Sequence, residues 1–117
     1  DYFLVPETGI ETPITLEILT APSTHKPTAK CVVLDKEKLD FPLILRRWKI
    51  ADVFYPTGMT GKKKVAKFFK DEKMSVRDKK QQWLLCSGDD IVWVVGKRIN
   101  RKFEVSANTI MLQITLV

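Results

Sequence analysis

Residues 54–73 read FYPTGMTGKKKVAKFFKDEK, a short glycine-containing loop followed by a lysine-rich segment. Gly58 and Gly61 can adopt positive φ angles and leave the backbone bare. A helix that begins near Lys62 would present its free N–H groups and the positive end of its dipole beside these glycines. Because that arrangement favours a negatively charged group such as a phosphate, the stretch predicts an anion site at the loop.

Helical spacing sorts the side chains after the loop onto two faces. The apolar face, at i, i+3 and i+4, holds Val65, Phe68 and Phe69. The opposite face carries a lysine row at i, i+4 and i+7: Lys63, Lys67 and Lys70. Like charges at this spacing repel slightly, so an anionic partner explains the row better than helix stability does. The alternative is a lysine-rich face that is only solvated.

The loop is not a Walker A phosphate loop. That motif needs a glycine where this chain has Pro56, and a serine or threonine where it has Lys63. Phosphate binding of the type used for nucleotide hydrolysis is therefore not expected here.

The 117 residues correspond to one domain, and a hydrophobic content of 44% is enough for a core. No apolar run approaches the length of a membrane span. The formal net charge of +6 is unevenly distributed, because residues 46–102 hold 16 Lys/Arg and 6 Asp/Glu. A regional positive excess is typical of a surface that binds a polyanion. The first residue is Asp1, so we expect a piece of a longer chain.

Groups for catalysis or metal binding are sparse. Cys31 and Cys86 lie in apolar surroundings, which predicts buried thiols in a reducing compartment. His25 lies in a Pro/Thr-rich loop, and two cysteines with one distant histidine do not form a zinc site. Asp89 and Asp90 are explained by a hairpin turn. We therefore expect a module that is not catalytic on its own, with no cofactor in this chain.

Periodicity and turn signals predict an α+β fold, with a mainly antiparallel β-sheet or a small sandwich. Residues 1–13 read as irregular and 20–28 as a surface loop. One helix is lysine-rich, and a second, short helix spans about 76–82 with a capping-box-like start at Ser75. Strands are predicted at 14–18, 31–34, 43–48, 83–86, 91–95 and 110–117.

Further basic residues border the same middle region: Arg46, Arg47, Lys97, Arg98, Arg101 and Lys102. Contacts to phosphates give affinity without reading sequence. Trp48 and Tyr55 either pack in the core or stack on exposed bases. Trp93, inside an apolar run, is predicted to lie in the core.

Several motifs occur together in a specific order. They are LRR before the loop, DVFYPTGMTGKKKV, FFKDEK, RD at 77–78, LL at 84–85, DIVWVVG at 90–96 and RI at 98–99. In this order they resemble the C-terminal domain of bacterial tRNA(Ile)-lysidine synthetase, from about Leu34 to the end. Residues 1–30 lie outside this resemblance. The family commonly has an arginine at the place of Val53 and a proline at the place of Trp83.

The resemblance implies a fold and a function. The parent enzyme uses ATP, with magnesium, to join lysine to the wobble cytidine of tRNA(Ile), and the chemistry belongs to an N-terminal PP-loop domain that this chain lacks. The C-terminal domain resembles a β-rich tRNA-binding module of the phenylalanyl-tRNA synthetase β-subunit and is implied to hold the acceptor stem. The expected partners are tRNA(Ile) and the catalytic domain of the same chain, in the cytoplasm and away from membranes. The implied RNA contacts are Arg46, Arg47, Gly58, Gly61, Lys62, Lys63, Lys64 and Arg98. The lysine row and the basic stretch after Gly96 add Lys67, Lys70 and Lys97.

Two other hypotheses remain. One is a protein-interaction or dimerisation module, such as a homodimer, whose basic face is only solvated. An independent enzyme is the weaker hypothesis, because the sequence supplies no catalytic group.

Overall fold

The computed structural model describes residues 1–20, 26–107 and 109–117. Most of the predicted loop at 20–28, including His25, lies outside these described residues. Among them, no helix is long and apolar enough to cross a membrane. The described residues contain two short α-helices and ten strands, arranged in three sheets.

The bounds of the elements follow the chain. The helices are α1 (Val65–Asp71) and α2 (Val76–Gln81). The strands are β1 (Tyr2–Val5), β2 (Leu16–Thr20), β3 (Cys31–Asp35), β4 (Leu43–Arg47), β5 (Val53–Phe54), β6 (Lys63–Lys64), β7 (Trp83–Ser87), β8 (Asp90–Val94), β9 (Arg98–Ile99) and β10 (Met111–Leu116).

The central layer is a five-stranded antiparallel sheet in the order β1-β4-β7-β8-β9. Its middle is the β7–β8 hairpin that the sequence predicts, with Gly88 at a φ of 56° in the turn. Short apolar runs joined by Ser-Gly-Asp-Asp favour this hairpin locally. A register shift between Leu85 and Cys86 marks a bulge in the pairing.

One face of the central sheet packs against a three-stranded antiparallel sheet in the order β2-β10-β3. The cluster between the two sheets includes Val5, Leu34, Leu45, Trp93 and Ile114, all fully buried. Trp93 therefore lies in the core, as predicted. Because successive side chains of a strand point to opposite faces, β4 and β7 also contribute residues to the other side of the sheet.

The opposite face of the central sheet is covered by α1 and by the two-stranded β5–β6 sheet. The cluster here joins the apolar face of α1 to the sheet and includes Phe54, Phe68, Phe69, Leu84 and Ile91. Phe54 and Phe68 meet edge to face, with ring centroids 5.3 Å apart. The predicted apolar face of the lysine-rich helix is therefore confirmed as its docking face.

The α+β class with mainly antiparallel sheets is confirmed, but two expectations about elements are wrong. Residues 1–13 are not wholly irregular, because β1 pairs with β4, with Tyr2 opposite Arg46. The lysine-rich helix begins at Val65 rather than near Lys62. Lys63 and Lys64 are instead extended, because they pair with Phe54 and Val53. The predicted strand at 14–18 lies two residues later, as β2.

Other local expectations hold, except for the predicted burial of Cys31. The Ser75 side chain accepts a hydrogen bond of 3.0 Å from the Asp78 N–H, which caps α2. Cys86 is buried and Cys31 is half-buried, and both are free thiols. Burial raises the pKa of the Cys86 thiol to about 11, so this side chain is protonated and unreactive at neutral pH.

Candidate nucleic-acid interface

The loop between β5 and β6, residues 55–62, is an exposed turn built on its glycines. The Met59 N–H donates to the Pro56 carbonyl at 3.3 Å, and Gly58 has a φ of 77° at the third position of that turn. A type II turn needs a positive φ there. Gly61 has a φ of 78°, and a Cβ at either glycine would meet no atom within 4 Å. The backbone at these two glycines therefore faces open space.

Residues 99–101 anchor this glycine loop. The Thr57 N–H donates to the Ile99 carbonyl at 3.1 Å, and the Arg101 N–H donates to the Tyr55 carbonyl at 2.8 Å. The Arg101 Nη1 atom donates to the Met59 carbonyl at 2.6 Å. Three hydrogen bonds thus place the basic segment after β8 directly beside the loop, although the two are far apart in sequence.

Two basic side chains flank the ring of Phe68. The Lys63 Nζ atom lies 5.9 Å from the ring centroid and the Arg98 guanidinium carbon lies 5.6 Å from it. Both distances are in the range of cation–π contacts. The structure therefore brings the end of the glycine loop, α1 and β9 together on one basic surface.

The lysine row is partly neutralised by Asp71. Lys63 and Lys67 both form ion pairs with the Asp71 carboxylate, and the Lys67 pair measures 2.9 Å. The hydrogen bonds from Lys63 and then Lys67 lower the pKa of Asp71. Only 16% of the Lys63 side chain is exposed. Lys63, Lys67 and Asp71 thus form one ion-pair network. Asp71 follows Lys67 by four residues, a spacing that allows an ion pair on a helix.

Five other basic residues of the predicted site are exposed, and the salt bridges found in the described part of the chain include none of them: Arg47, Lys62, Lys64, Lys70 and Lys97. Lys62 and Lys64 lie at the end of the glycine loop, and Lys70 lies on α1. Their ammonium groups remain available to a polyanion. The start of α1 does not lie at the glycine loop as predicted, and its first N–H, that of Val65, donates to the Asp52 carbonyl at 2.9 Å.

Arg46 and Arg47 leave β4 on opposite faces. The two Nη atoms of Arg46 each donate to the Asp52 carboxylate at 2.9 Å. Burial alone would raise the pKa of Asp52, but the hydrogen bonds from Arg46 and from the Lys49 N–H outweigh it and lower the pKa. Arg46 is therefore held in an internal ion pair.

Arg47 lies outside the surface around the glycine loop. Its guanidinium carbon is 3.5 Å from the ring centroid of Trp83, whose ring also meets Phe3 edge to face. Trp83 belongs to the cluster between the two larger sheets, on the face that α1 does not cover. The predicted pair of neighbouring arginines is thus split between two faces of the sheet.

The two aromatic residues considered for base stacking differ. Trp48 packs edge to face on Phe69, with centroids 5.2 Å apart, as part of the cluster under α1. Tyr55 is half-buried, and its ring lies under Arg101 at 5.3 Å and Lys102 at 4.9 Å. The sequence places Arg101 and Lys102 in a basic stretch, but their contact with the loop depends on the fold.

Acidic and sulfur ligands do not converge. Within residues 1–20, 26–107 and 109–117, no group of three or more His, Cys, Asp or Glu is placed to hold a metal ion.

Comparison with known proteins gives consistent results. A family model described as the TilS substrate C-terminal domain matches residues 43–116. The tRNA(Ile)-lysidine synthase of Parabacteroides distasonis is 44% identical over 113 residues, covering 92% of this chain and 26% of that protein. The synthase of Bacteroides thetaiotaomicron is 40% identical over 75 residues, covering 64% of this chain and 18% of that protein. The first similarity extends into residues 1–30.

A solved structure shows the same fold. The crystal structure of a TilS C-terminal domain matches with a TM-score of 0.74 at 21% sequence identity, covering 100% of this chain and 97% of the other. The chain spans about a quarter or less of the two curated relatives named above. Taken with the family match over 43–116, these similarities establish that the chain belongs to the family of C-terminal domains of tRNA(Ile)-lysidine synthases.

Proposed function

We propose that this domain binds the acceptor stem of tRNA(Ile) on behalf of an enzyme that uses ATP to join lysine to the wobble cytidine. ATP and magnesium belong, in this proposal, to a catalytic domain elsewhere in the longer chain. The relatives bear the name tRNA(Ile)-lysidine synthase and are each more than three times as long as this chain. This domain supplies substrate binding to that enzyme.

The observation that carries the proposal is the open glycine loop with cations on its borders. Gly58 and Gly61 expose the backbone, and exposed Lys62 and Lys64 follow directly. The loop is hydrogen-bonded to the segment that carries Arg98, Arg101 and Lys102. Bare backbone N–H groups together with lysine and arginine are what contact phosphates along a duplex.

Residues of the predicted site contribute unequally in this proposal. The direct phosphate contacts are Gly58, Gly61, Lys62, Lys64, Lys67, Lys70 and Arg98. Lys63 acts mainly through its ion pair with Asp71. Arg46 stabilises the fold, and Arg47 and Lys97 lie beyond the loop itself.

The test is binding of the purified domain to tRNA(Ile) and to a blunt acceptor-stem duplex by fluorescence anisotropy. Reversing the charge of Lys62 and Lys64 to Glu should weaken binding to both RNAs by at least about tenfold, because phosphate contacts dominate affinity. The matched control reverses Arg77 and Lys80, which are exposed on α2 and are not among the residues of the proposed surface. Equal losses in the two double variants would count against the proposed surface.

A second candidate function is self-association. β1 is an edge strand, and three successive large apolar side chains on it are exposed: Tyr2, Phe3 and Leu4. An unpaired edge of this kind is a template for pairing with another chain. Sedimentation velocity tests for self-association. A dimer that Phe3→Glu dissociates would support this function, whereas a monomer at all concentrations would exclude it.

A further inference from the structure

A cavity of about 630 Å³ opens beside the glycine loop. Its volume lies in the range of ligand-binding pockets. The walls come from residues 27–29, β3, Thr57 of the glycine loop, residues 97–99, the segment at 104–105 and the start of β10. The apolar part of the lining includes Val33, Ile99, Val105 and Met111, and the polar part includes Thr57, Lys97, Arg98 and Glu104.

The cavity is continuous with the basic surface. Thr57 belongs to the glycine loop and its N–H donates to the carbonyl of Ile99, a wall residue. Arg98 lines the cavity and also lies 5.6 Å from the ring centroid of Phe68 on α1. A polyanion on the loop would therefore pass the mouth of the cavity.

We propose that this cavity receives an unpaired nucleobase from the RNA bound by the basic surface. This inference rests on the proposed function. An apolar interior with two cations at its side suits a ligand that joins a flat, weakly polar ring to a phosphate. Lys97 and Arg98 contact the phosphates that flank the base, and the aliphatic walls cover its faces.

Only single-stranded RNA can supply such a base, because bases within a duplex are paired and stacked. An acceptor arm ends in an unpaired 3′ segment next to its duplex. A duplex bound on the glycine loop thus has a free strand that can reach a neighbouring cavity. The ligand class is an unpaired nucleotide adjacent to a helical end.

The experiment compares two RNAs of identical duplex sequence, one blunt and one with a four-nucleotide 3′ overhang. We expect the wild-type domain to bind the overhang RNA about tenfold more tightly, because the aliphatic walls remove one otherwise solvated ring from water. Val105→Trp fills the cavity and should abolish that difference while retaining affinity for the blunt RNA. Val76→Trp, at an exposed site on α2, should retain the difference.

The outcomes separate the two proposals. Equal affinity of the wild-type domain for both RNAs would overturn the cavity assignment and leave the proposed function intact. Binding of neither RNA would overturn both. In case Val105→Trp fails to fold, photocrosslinking of the wild-type domain to 4-thiouridine in the overhang gives a second test. Crosslinks to residues 27–29, β3, β9, residues 104–105 or the start of β10 support the proposal, and crosslinks confined to other segments contradict it.

Discussion

Gly9 shows how one residue fixes the path of the chain before β2. Its φ is +86°, and a Cβ at this position would overlap the Leu16 carbonyl oxygen. Gly9→Ala should therefore lower the free energy of unfolding by at least about 2 kcal/mol. Gly88→Ala is the matched control, because Gly88 also has a positive φ but no atom lies within 4 Å of its Cβ position.

That control should lose only about 1 kcal/mol, which is the cost of the backbone conformation alone. Urea unfolding of the two variants measures the difference. Equal losses would mean that the contact with Leu16 is relieved by a backbone shift. The overlap could not be foreseen from the sequence, because it depends on how residues 9 and 16 approach each other.

Asp52 makes the stability contributed by its ion pair with Arg46 depend on pH. Its pKa is lowered in the folded protein by Arg46 and by the Lys49 N–H, in spite of burial. The stability that this carboxylate contributes is complete above its unfolded pKa of about 4. It is lost as the pH falls through the lower, folded pKa, since the unfolded state then binds the proton more readily.

The free energy of unfolding should therefore fall below about pH 4, and Asp52→Asn should fall less steeply than the wild type. Urea unfolding between neutral and acidic pH measures both slopes. Identical slopes would show that the Arg46–Asp52 pair is not coupled to folding. The partner of Arg46 lies six residues away on a turn, so the sequence alone does not distinguish a free arginine from a paired one.

At the scale of elements, those that depend on neighbouring residues were predicted well from the sequence. Those that depend on pairing with a distant segment were not. The β7–β8 hairpin and the Ser75 cap of α2 depend on neighbouring residues, and both follow from the sequence. β1 is formed by pairing with β4. Its residues, Tyr2–Val5, are all apolar although the first three are exposed, so the sequence shows no alternation of apolar and polar residues that would predict a strand. The start of α1 was placed too early because pairing with β5 holds Lys63 and Lys64 extended.

The stability of α1 depends on its docking face. A seven-residue helix is marginal by itself, so packing must hold it. Phe68 is almost fully buried against Phe54 and the central sheet. Phe68→Ala should lower the free energy of unfolding by about 3 to 5 kcal/mol. Lys70→Ala, on the exposed face of the same helix, should stay within about 0.5 kcal/mol of the wild type.

Urea denaturation followed by tryptophan fluorescence measures both changes, because Trp48 packs on Phe69 under this helix. A small loss for Phe68→Ala would show that the cluster under α1 collapses onto the space left by the ring. A large loss for Lys70→Ala would contradict the assignment of that residue to the solvent face.

At the scale of the whole molecule, the positive excess in residues 46–102 does not form one face. The sequence predicted one basic region, but the layers of the fold divide its cations. Arg98 is placed beside the glycine loop, whereas Arg47 stacks on Trp83 and Arg46 is paired with Asp52. Three-dimensional packing decides which face of the sheet each arginine points to and which carboxylate it contacts.

This division predicts different salt dependence for two arginines of the same region. Each phosphate contact contributes about 0.9 to the slope of the logarithm of affinity against the logarithm of salt concentration. Arg98→Gln should therefore reduce the magnitude of that slope by about 1 in the binding of a blunt acceptor-stem duplex. Arg46→Gln removes the same charge but should leave the slope unchanged, since its guanidinium is held by Asp52.

The measurement is a series of anisotropy titrations of both variants and the wild type between low and physiological salt. It is made well below the unfolding temperature, because Arg46→Gln leaves a half-buried carboxylate unpaired and destabilises the fold. Reduced slopes in both variants would mean that Arg46 leaves Asp52 to reach the RNA. A reduced slope for Arg46→Gln alone would exclude Arg98 as a phosphate contact and move the RNA towards the start of α1.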